Sequence, residues 1–445
     1  MAKDRPNLVF LFTDQQSAHM MGCAGNPYVH TPAMDSLATN GARFARAYCS
    51  DPVCVPSRFS LMTGRMPSEI ALRSNDARPV KAIPDHIKDT GLGHLFRRSG
   101  YEAAYGGKQH LPKVDAKALG FDYLTRDERD GLAKTCAEFL GRPHDRPFLL
   151  VASFINPHDI CYMAIRDFME TQMDKWLIEG GKREIATLDQ ALRLPEGVSE
   201  KEFFARHCPP VPPNFDPQQD EPEAIRRLLA QRPFRKNARE KWPPERWRLH
   251  RWAYARLTER VDAEIAQVLE AIRRNGLQQN TIVIFSSDHG DHDSAHRMEH
   301  KTALYEEAAR IPLIVSQPGV TPAGLVDDAH LVSNGLDLLP TLCDYAGIEV
   351  PKDLKGRSFR PLAEGRAAPD WRAELPIESE IGRCLVTSRY KYVLYDEGAS
   401  REQLMDLEKD PYETRNAAKD LGNGEVLAKL RARLDALCPV IRKES

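Results

Sequence analysis

The sequence predicts an α/β protein built on a mainly parallel sheet, and three observations carry that expectation. Apolar, β-prone runs recur along the chain, at residues 7–13 (NLVFLFT), 148–154 (FLLVASF) and 281–286 (TIVIFS). They are apolar throughout rather than at alternate positions, the pattern of strands covered on both faces. Helical segments separate them, as the crossovers of a parallel sheet require.

The elements follow in order. Residues 7–13 form the first strand. A short helix over 34–40 is stopped by Gly41, and another over 92–98 by Ser99-Gly100, after which 101–105 returns as a strand. Residues 148–154 are a central strand. Leu257, Val261, Ile265, Val268, Leu269 and Ile272 share one face of a long helix that ends at Asn275-Gly276. Strands at 281–286 and 311–315 complete the sheet. Two regions depart from this rhythm. The stretch 195–244 is Pro-rich and reads as irregular, within an insertion of about 165–250. Beyond Pro351, short strands at 383–387, 390–395 and 403–407 precede a helix near 425–437. The expected organisation is an α/β domain over 1–350 and a small α+β subdomain over 351–445.

Composition narrows the function classes. Of 445 residues, 42% are hydrophobic and 28% charged, enough to build a core and inconsistent with a disordered chain. A net charge of −2 gives no whole-protein attraction to nucleic acid or to an anionic membrane. No apolar run approaches the roughly 18 residues of a membrane span. Met1-Ala2-Lys3-Asp4-Arg5-Pro6 lacks the apolar stretch of a signal peptide. As written, the chain is expected in the cytoplasm, or in the periplasm or outside the cell if a leader has been removed. The nine cysteines are scattered without a C-x-x-C pair, so they suggest neither zinc nor disulfides.

Chemistry gathers where the strands end. Residues 7–13 run into Asp14-Gln15, and 101–105 into Gly106-Gly107-Lys108-Gln109-His110. Residues 148–154 run into Asn156-Pro157-His158-Asp159, and 281–286 into Asp288-His289-Gly290-Asp291. The carboxyl edge of an open α/β sheet is where ligands bind. Asp14, Gln15, Asp288 and His289 offer two carboxylates, an amide oxygen and an imidazole, a set suited to a divalent cation. The nearby His292, Asp293 and His296 read as a solvated loop. In Cys54-Val55-Pro56-Ser57-Arg58, the proline marks a helix start. Cys54 is then expected at a helix N-terminus, where aligned N–H groups favour a thiolate or a bound oxyanion.

Cys-x-Pro-Ser-Arg followed by Leu61-x-Thr63-Gly64-Arg65 resembles the signature of the type I sulfatases. Other pieces fit in order: the early Asp14, Gly107-Lys108-x-His110, Asn156-Pro157-His158, Asp288-His289-Gly290, Lys301 twelve positions after His289, and a small C-terminal domain. The resemblance implies an alkaline-phosphatase-like fold and Cys54 oxidised to formylglycine by a maturation enzyme. It places Cys54 with Asp14, Gln15, Asp288 and His289 around a divalent metal, Ca²⁺ first, with Mn²⁺ or Mg²⁺ as alternatives. It implies that Arg58 holds the nucleophile and the metal-side carboxylates, and that Lys108 and Lys301 grip sulfate oxygens. His158 protonates the leaving alcohol, and His110 is the base for breakdown of the hemiacetal left on Cys54. Gln15 and His289 depart from the Asp-Asp and Asp-Asn of many sulfatases. They look like choline sulfatases and phosphonate monoester hydrolases, and should weaken the preference for Ca²⁺ and favour Mn²⁺.

The implied function is hydrolysis of a sulfate monoester, on a sulfated glycan or oligosaccharide. The alternatives are a phosphonate monoester or phosphodiester hydrolase, a choline-sulfatase-like enzyme, or, with Cys54 unconverted, a protein that binds sulfated glycan without turnover. Between Glu223 and Arg251, ten basic residues against three acidic ones leave +7, with Trp242 and Trp247 interleaved. This reads either as a solvated helical surface or as a rim for an anionic polysaccharide, with Trp stacked on sugar faces. Arg73, Asn75 and Arg78 are further candidate substrate contacts.

Overall fold

The computed structural model describes residues 5–439. Met1–Asp4, read above for a leader, lie outside the described residues. Strands β1 (Asn7–Asp14), β2 (Ala42–Phe44), β3 (Ala47–Tyr48), β4 (Glu102–Gly107), β5 (Asp122–Thr125), β6 (Phe148–Pro157), β7 (Thr281–Ser287), β8 (Leu313–Ser316), β9 (Leu325–Asp327) and β10 (Val332–Ser333) precede the C-terminal region. Eight of them form one sheet in the order β5-β4-β6-β1-β7-β8-β2-β9. It is parallel except at β8, which runs antiparallel to β7 and β2. The short β3 and β10 pair separately.

The uninterrupted apolar runs behave as double-sided strands. In β1, Leu8, Phe10 and Phe12 enter one core layer with Leu338, Leu339 and Leu342 of the helix Asn334–Ala346. Val9 and Leu11 enter the other, with Val261, Ile265 and Val268 of the helix Pro244–Arg274. Three short strands, β2, β5 and β9, have no signature in the sequence because three or four residues carry no readable period. Among the described residues, no helix is long and apolar enough to cross a membrane.

The Pro-rich stretch is corrected in its second half. Residues 209–222 are irregular as expected, but helices Glu223–Ala230 and Pro233–Lys241 follow, and Pro244 opens a helix of 31 residues. Pro233 and Pro244 stand in first turns, where a missing N–H costs nothing. Of the two readings of the basic run, the one with Trp stacked on sugar faces is overturned. Trp242 and Trp247 are buried edge to face, with ring centroids 4.8 Å apart, and the Trp242 indole N–H donates to Asp167 at 2.9 Å. Much of the basic run is spent internally. Arg239 pairs with Glu221 at 2.6 Å, Arg246 with Asp167 at 2.7 Å and Arg251 with Asp293 at 3.1 Å.

The C-terminal subdomain is an antiparallel sheet of β11 (Glu374–Ser379), β12 (Gly382–Thr387), β13 (Tyr390–Tyr395) and β14 (Glu402–Asp406). One face sets Leu385, Tyr392 and Leu404 against Leu427, Leu430 and Leu434 of the helix Gly424–Leu437. The other sets Ile377, Val393 and Met405 against Leu304, Tyr305 and Ala309. Lys391, fully buried, bridges Glu306 at 3.0 Å and Glu413 at 2.5 Å. Removing one partner of a buried ion pair strands the other charge, at about 3–5 kcal/mol. Lys391→Met should therefore lower unfolding free energy by about that amount in urea titrations. The triple variant Lys391→Met, Glu306→Gln, Glu413→Gln should recover most of the loss; equal instability of both variants would contradict this account.

Candidate active site

Asp14 ends β1 and Asp288 follows its parallel neighbour β7, so the sheet itself delivers two carboxylates side by side. Arg58, buried on the first turns of the helix Cys54–Thr63, holds both: Nη2 donates to Asp14 at 2.8 Å and Nε to Asp288 at 2.8 Å. Its Nη1 donates to the Ser153 hydroxyl at 2.8 Å and to the Lys108 carbonyl at 2.9 Å. Ser57 donates to the Asp288 carbonyl at 2.5 Å, tying the same helix to the end of β7. Two glycines permit these approaches. A Cβ on Gly107 (φ +89°) would lie 2.1 Å from the Ser153 carbonyl, and one on Gly290 would lie 2.0 Å from that of Glu307.

Cys54 is the first residue of its helix, as expected, and is buried. Its Sγ lies 3.2 Å from His289 Nε2, 3.8 Å from Asp14 Oδ1 and 3.2 Å from Lys301 Nζ. Lys301 Nζ also donates to Gln15 Oε1 at 2.6 Å, and Lys108 Nζ pairs with Asp14 at 2.7 Å. Asp14, Cys54, Asp288 and His289 each present one ligand atom, all within 4.8 Å of one another and all buried. His289 Nδ1 sits 2.9 Å from the Gly290 carbonyl, which can only accept, so Nε2 is left bare toward the cluster. An imidazole anchored through its far nitrogen is the usual arrangement of a metal ligand. The donor set therefore fits a divalent cation.

The electrostatics agree with an anion-receiving site. Asp14 and Asp288 bring two negative charges, and Arg58, Lys108 and Lys301 three positive ones. Burial pushes the Asp14 carboxyl up, but Lys108, His158, Arg58 and Lys301 together hold it well below the usual range. Burial and Asp14 oppose ionisation of Cys54; Lys301, Lys108 and His289 outweigh them and lower the thiol well below its ordinary value. Burial and Asp14 raise Asp288, against the pull of His289 and Arg58. For His158, burial and then Lys108 depress the imidazole well below its ordinary value, so it is neutral before substrate arrives. His158 is half-buried, with its Nδ1 enclosed and without a partner.

Other expected residues stand differently. The Gln15 side chain is fully engaged, its Nε2 donating to Asp291 at 2.6 Å and its oxygen held by Lys301. Its backbone N–H instead supports Asp288 at 3.0 Å. His110 is exposed at φ +44°, outside the buried cluster. His292 and His296, read as solvated, are buried, because Tyr305 and the helix Pro233–Lys241 cover that loop. Arg73 pairs with Asp396 at 2.6 Å, Asn75 accepts the Val55 N–H at 3.0 Å, and Arg78 pairs with Asp76 at 2.7 Å; none faces the cluster unpartnered. Ser57, Ser153 and Asp291 were missed as site residues. Ser57 lies inside the Cys54 motif and Asp291 closes the Asp-His-Gly-Asp run, but Ser153 has no signal beyond its place on β6.

Comparison with known proteins points the same way. The Sulfatase family model matches residues 6–348, and the model described as N-sulphoglucosamine sulphohydrolase, C-terminal, matches 294–439. The chain is 30% identical to a Delta 4,5-hexuronate-2-O-sulfatase of Bacteroides thetaiotaomicron, over 98% of this chain and 89% of that protein. A solved 2-O GAG sulfatase superposes with a TM-score of 0.81 at 29% identity, covering 97% of this chain and 92% of that one. The phosphonate monoester hydrolase of Agrobacterium radiobacter shares the fold, with a TM-score of 0.74 at 20% identity and coverage of 97% and 95%.

Asp288→Ala removes a buried carboxylate from the candidate ligand set. Metal content measured by elemental analysis should fall below about a tenth of the wild-type level, while Asp76→Ala, on the exposed loop, should leave it unchanged. Retention of metal by the Asp288 variant would refute the assignment.

Proposed function

The chain belongs to the sulfatase family, and from that premise we propose that it hydrolyses a sulfate monoester of a carbohydrate through Cys54 in its formylglycine form. One observation carries this reading. Cys54 stands at a helix N-terminus, 3.2 Å from Lys301 and 3.2 Å from His289 of a buried carboxylate–imidazole cluster. Sulfate ester hydrolysis needs that combination: a nucleophile, cations for the sulfuryl oxygens and a proton for the departing alcohol. The carbohydrate part rests on the hexuronate sulfatase and GAG sulfatase to which the chain is similar.

A divalent metal bound by Asp14, Asp288, His289 and the converted Cys54, with Gln15 as a further oxygen donor if its amide turns from Lys301, would supply Lewis acidity at sulfur. Oxidation of Cys54 to an aldehyde by a separate maturation enzyme, which supplies the oxidant and removes the sulfur, followed by hydration, would supply a hydroxyl nucleophile. Arg58 fixes both carboxylates and so orients the ligand set. Lys301 and Lys108 flank Cys54 and neutralise the sulfuryl oxygens, where charge accumulates. His158 is assigned to the leaving oxygen. Burial, and then Lys108 and Lys301, keep its imidazole neutral in the free protein, and an incoming sulfate offsets the lysines' repulsion, letting it carry the proton it must give.

A phosphodiester or phosphonate monoester substrate is the second reading. The observation that favours it is the Gln15 and His289 pair in place of a third carboxylate and an amide. Turnover of nitrophenyl sulfate against bis-nitrophenyl phosphate at equal enzyme concentration separates the two readings; the sulfatase reading expects the sulfate to win.

Two outcomes follow. Mass spectrometry of the Cys54 peptide should show aldehyde in place of thiol in active preparations, with activity proportional to the converted fraction; full activity from an all-thiol sample would end the proposal. His158→Ala should depress hydrolysis of a sugar sulfate by on the order of 10²–10⁴-fold. Nitrophenyl sulfate, whose leaving group needs no proton, should be affected far less. Equal losses on both substrates would mean that His158 binds sulfate rather than protonating the alcohol.

A further inference from the structure

Arg235 does not share the fate of its basic neighbours. Arg239, Arg246 and Arg251 are consumed by Glu221, Asp167 and Asp293, but the Arg235 guanidinium has no ion-pair or hydrogen-bond partner among the described residues, and its Nε is enclosed. The guanidinium is part-enclosed and makes no hydrogen bond, so a ligand that brings an acceptor gains a charge-assisted contact there.

Its place in the fold says where that ligand sits. Arg235 lies in the first turn of the helix Pro233–Lys241. The ring of the preceding Phe234 packs on His300 with centroids 5.3 Å apart, and the next residue, Lys301, reaches Cys54 at 3.2 Å. Arg235 is thus one packing step from the sulfate-binding lysine. Its charge is felt by His300 and His292, and it in turn senses Glu380, Cys161 and Asp291, the last two being the partners of Gln15. Two carboxyl groups act on this neighbourhood, one part-exposed and one buried. Glu380 lies in the turn between β11 and β12, within electrostatic reach of Arg235 and Arg73. Asp51 is fully buried three residues before Cys54, with both oxygens unpartnered, within reach of Glu380 and Cys54.

We propose that this wall is the subsite for the leaving sugar, and that Arg235 there reads a second anionic substituent on the sugar that carries the scissile sulfate. That substituent is a ring carboxylate or another sulfate, either of which matches the planar fork of a guanidinium. Glu380, part-exposed beside Arg235, accepts hydrogen bonds from sugar hydroxyls. The assignment rests on the sulfatase reading above and adds the charge of the leaving group to it.

The test uses full-length converted enzyme and matched substrate pairs: a sulfated uronic acid against its methyl ester, and a neutral sugar disulfate against the monosulfate. Nitrophenyl sulfate reports on the underlying reaction. Wild type should favour the more anionic member of at least one pair by on the order of 10–10²-fold in kcat/KM, the scale of one charge-assisted contact. Arg235→Gln should bring that ratio close to one, and Arg235→Lys should restore part of it. The pair that responds identifies the anion. A wild-type ratio near one on both pairs overturns the proposal, as does a ratio unchanged in Arg235→Gln. So does a parallel loss on all substrates, nitrophenyl sulfate included, that Arg235→Lys does not relieve, since that marks a structural role. Failure of wild type to hydrolyse any sulfate ester strikes the sulfatase reading itself and is recognised by the silent nitrophenyl control.

Discussion

Two carboxylates cannot share a buried strand end without a cation between them, and the Arg58 guanidinium is that cation. It is fully buried, lies over the Phe12 ring at 5.0 Å, and contacts Asp14, Asp288, Ser153 and the Lys108 carbonyl. The ends of β1, β4, β6 and β7 therefore converge on one planar group. A lysine could not replace it, because an ammonium offers donors from a single point rather than from a fork. The helix that carries Arg58 also carries Cys54, so the group that neutralises the carboxylates positions the proposed nucleophile as well.

The segment after β7 depends on this arrangement and on the C-terminal subdomain. From Asp293 to Thr302 the backbone turns repeatedly through positive φ at residues that are not glycine: Asp293, Ser294, His296, Arg297, His300 and Thr302. Such conformations cost about 1–3 kcal/mol each and persist only when surroundings over-determine them. Here His296 stacks on Tyr305 at 3.9 Å, and the Glu306–Lys391–Glu413 bridge pins the end of the segment to β13. Lys301 is presented to Cys54 from within that clamp. The C-terminal sheet thus contributes to the active site without placing a side chain in the buried carboxylate–imidazole cluster.

Charge misled where apolar pattern did not. The run between Glu223 and Arg251 resembles a solvated surface because its counter-charges, Asp167, Glu221 and Asp293, lie outside it in sequence. Trp242 and Trp247 look like a sugar platform until the helix turns them inward. His110 shares its motif with Lys108, yet the chain turns at φ +44° and leaves it exposed. In each case residue type was legible and side-chain direction was not, because direction depends on which element packs across from it.

Read from the sequence alone, the long strands of the sheet, the long helix before β7, the C-terminal appendage and nearly all of the buried cluster were recoverable. Apolar periodicity is local, and the strand ends follow from where it stops. The Cys54–Arg58 motif likewise announces a helix start within five residues. Tertiary structure decided which of the polar strand ends touch. It decided that His289 turns Nε2 inward because the Gly290 carbonyl takes Nδ1, that Gln15 is held by Lys301 and Asp291, and that the Arg235 Nε is enclosed without a partner. These are outcomes of long-range pairing, in which a side chain's partner is set by the register of strands and the packing of helices hundreds of residues apart, and no local pattern encodes them.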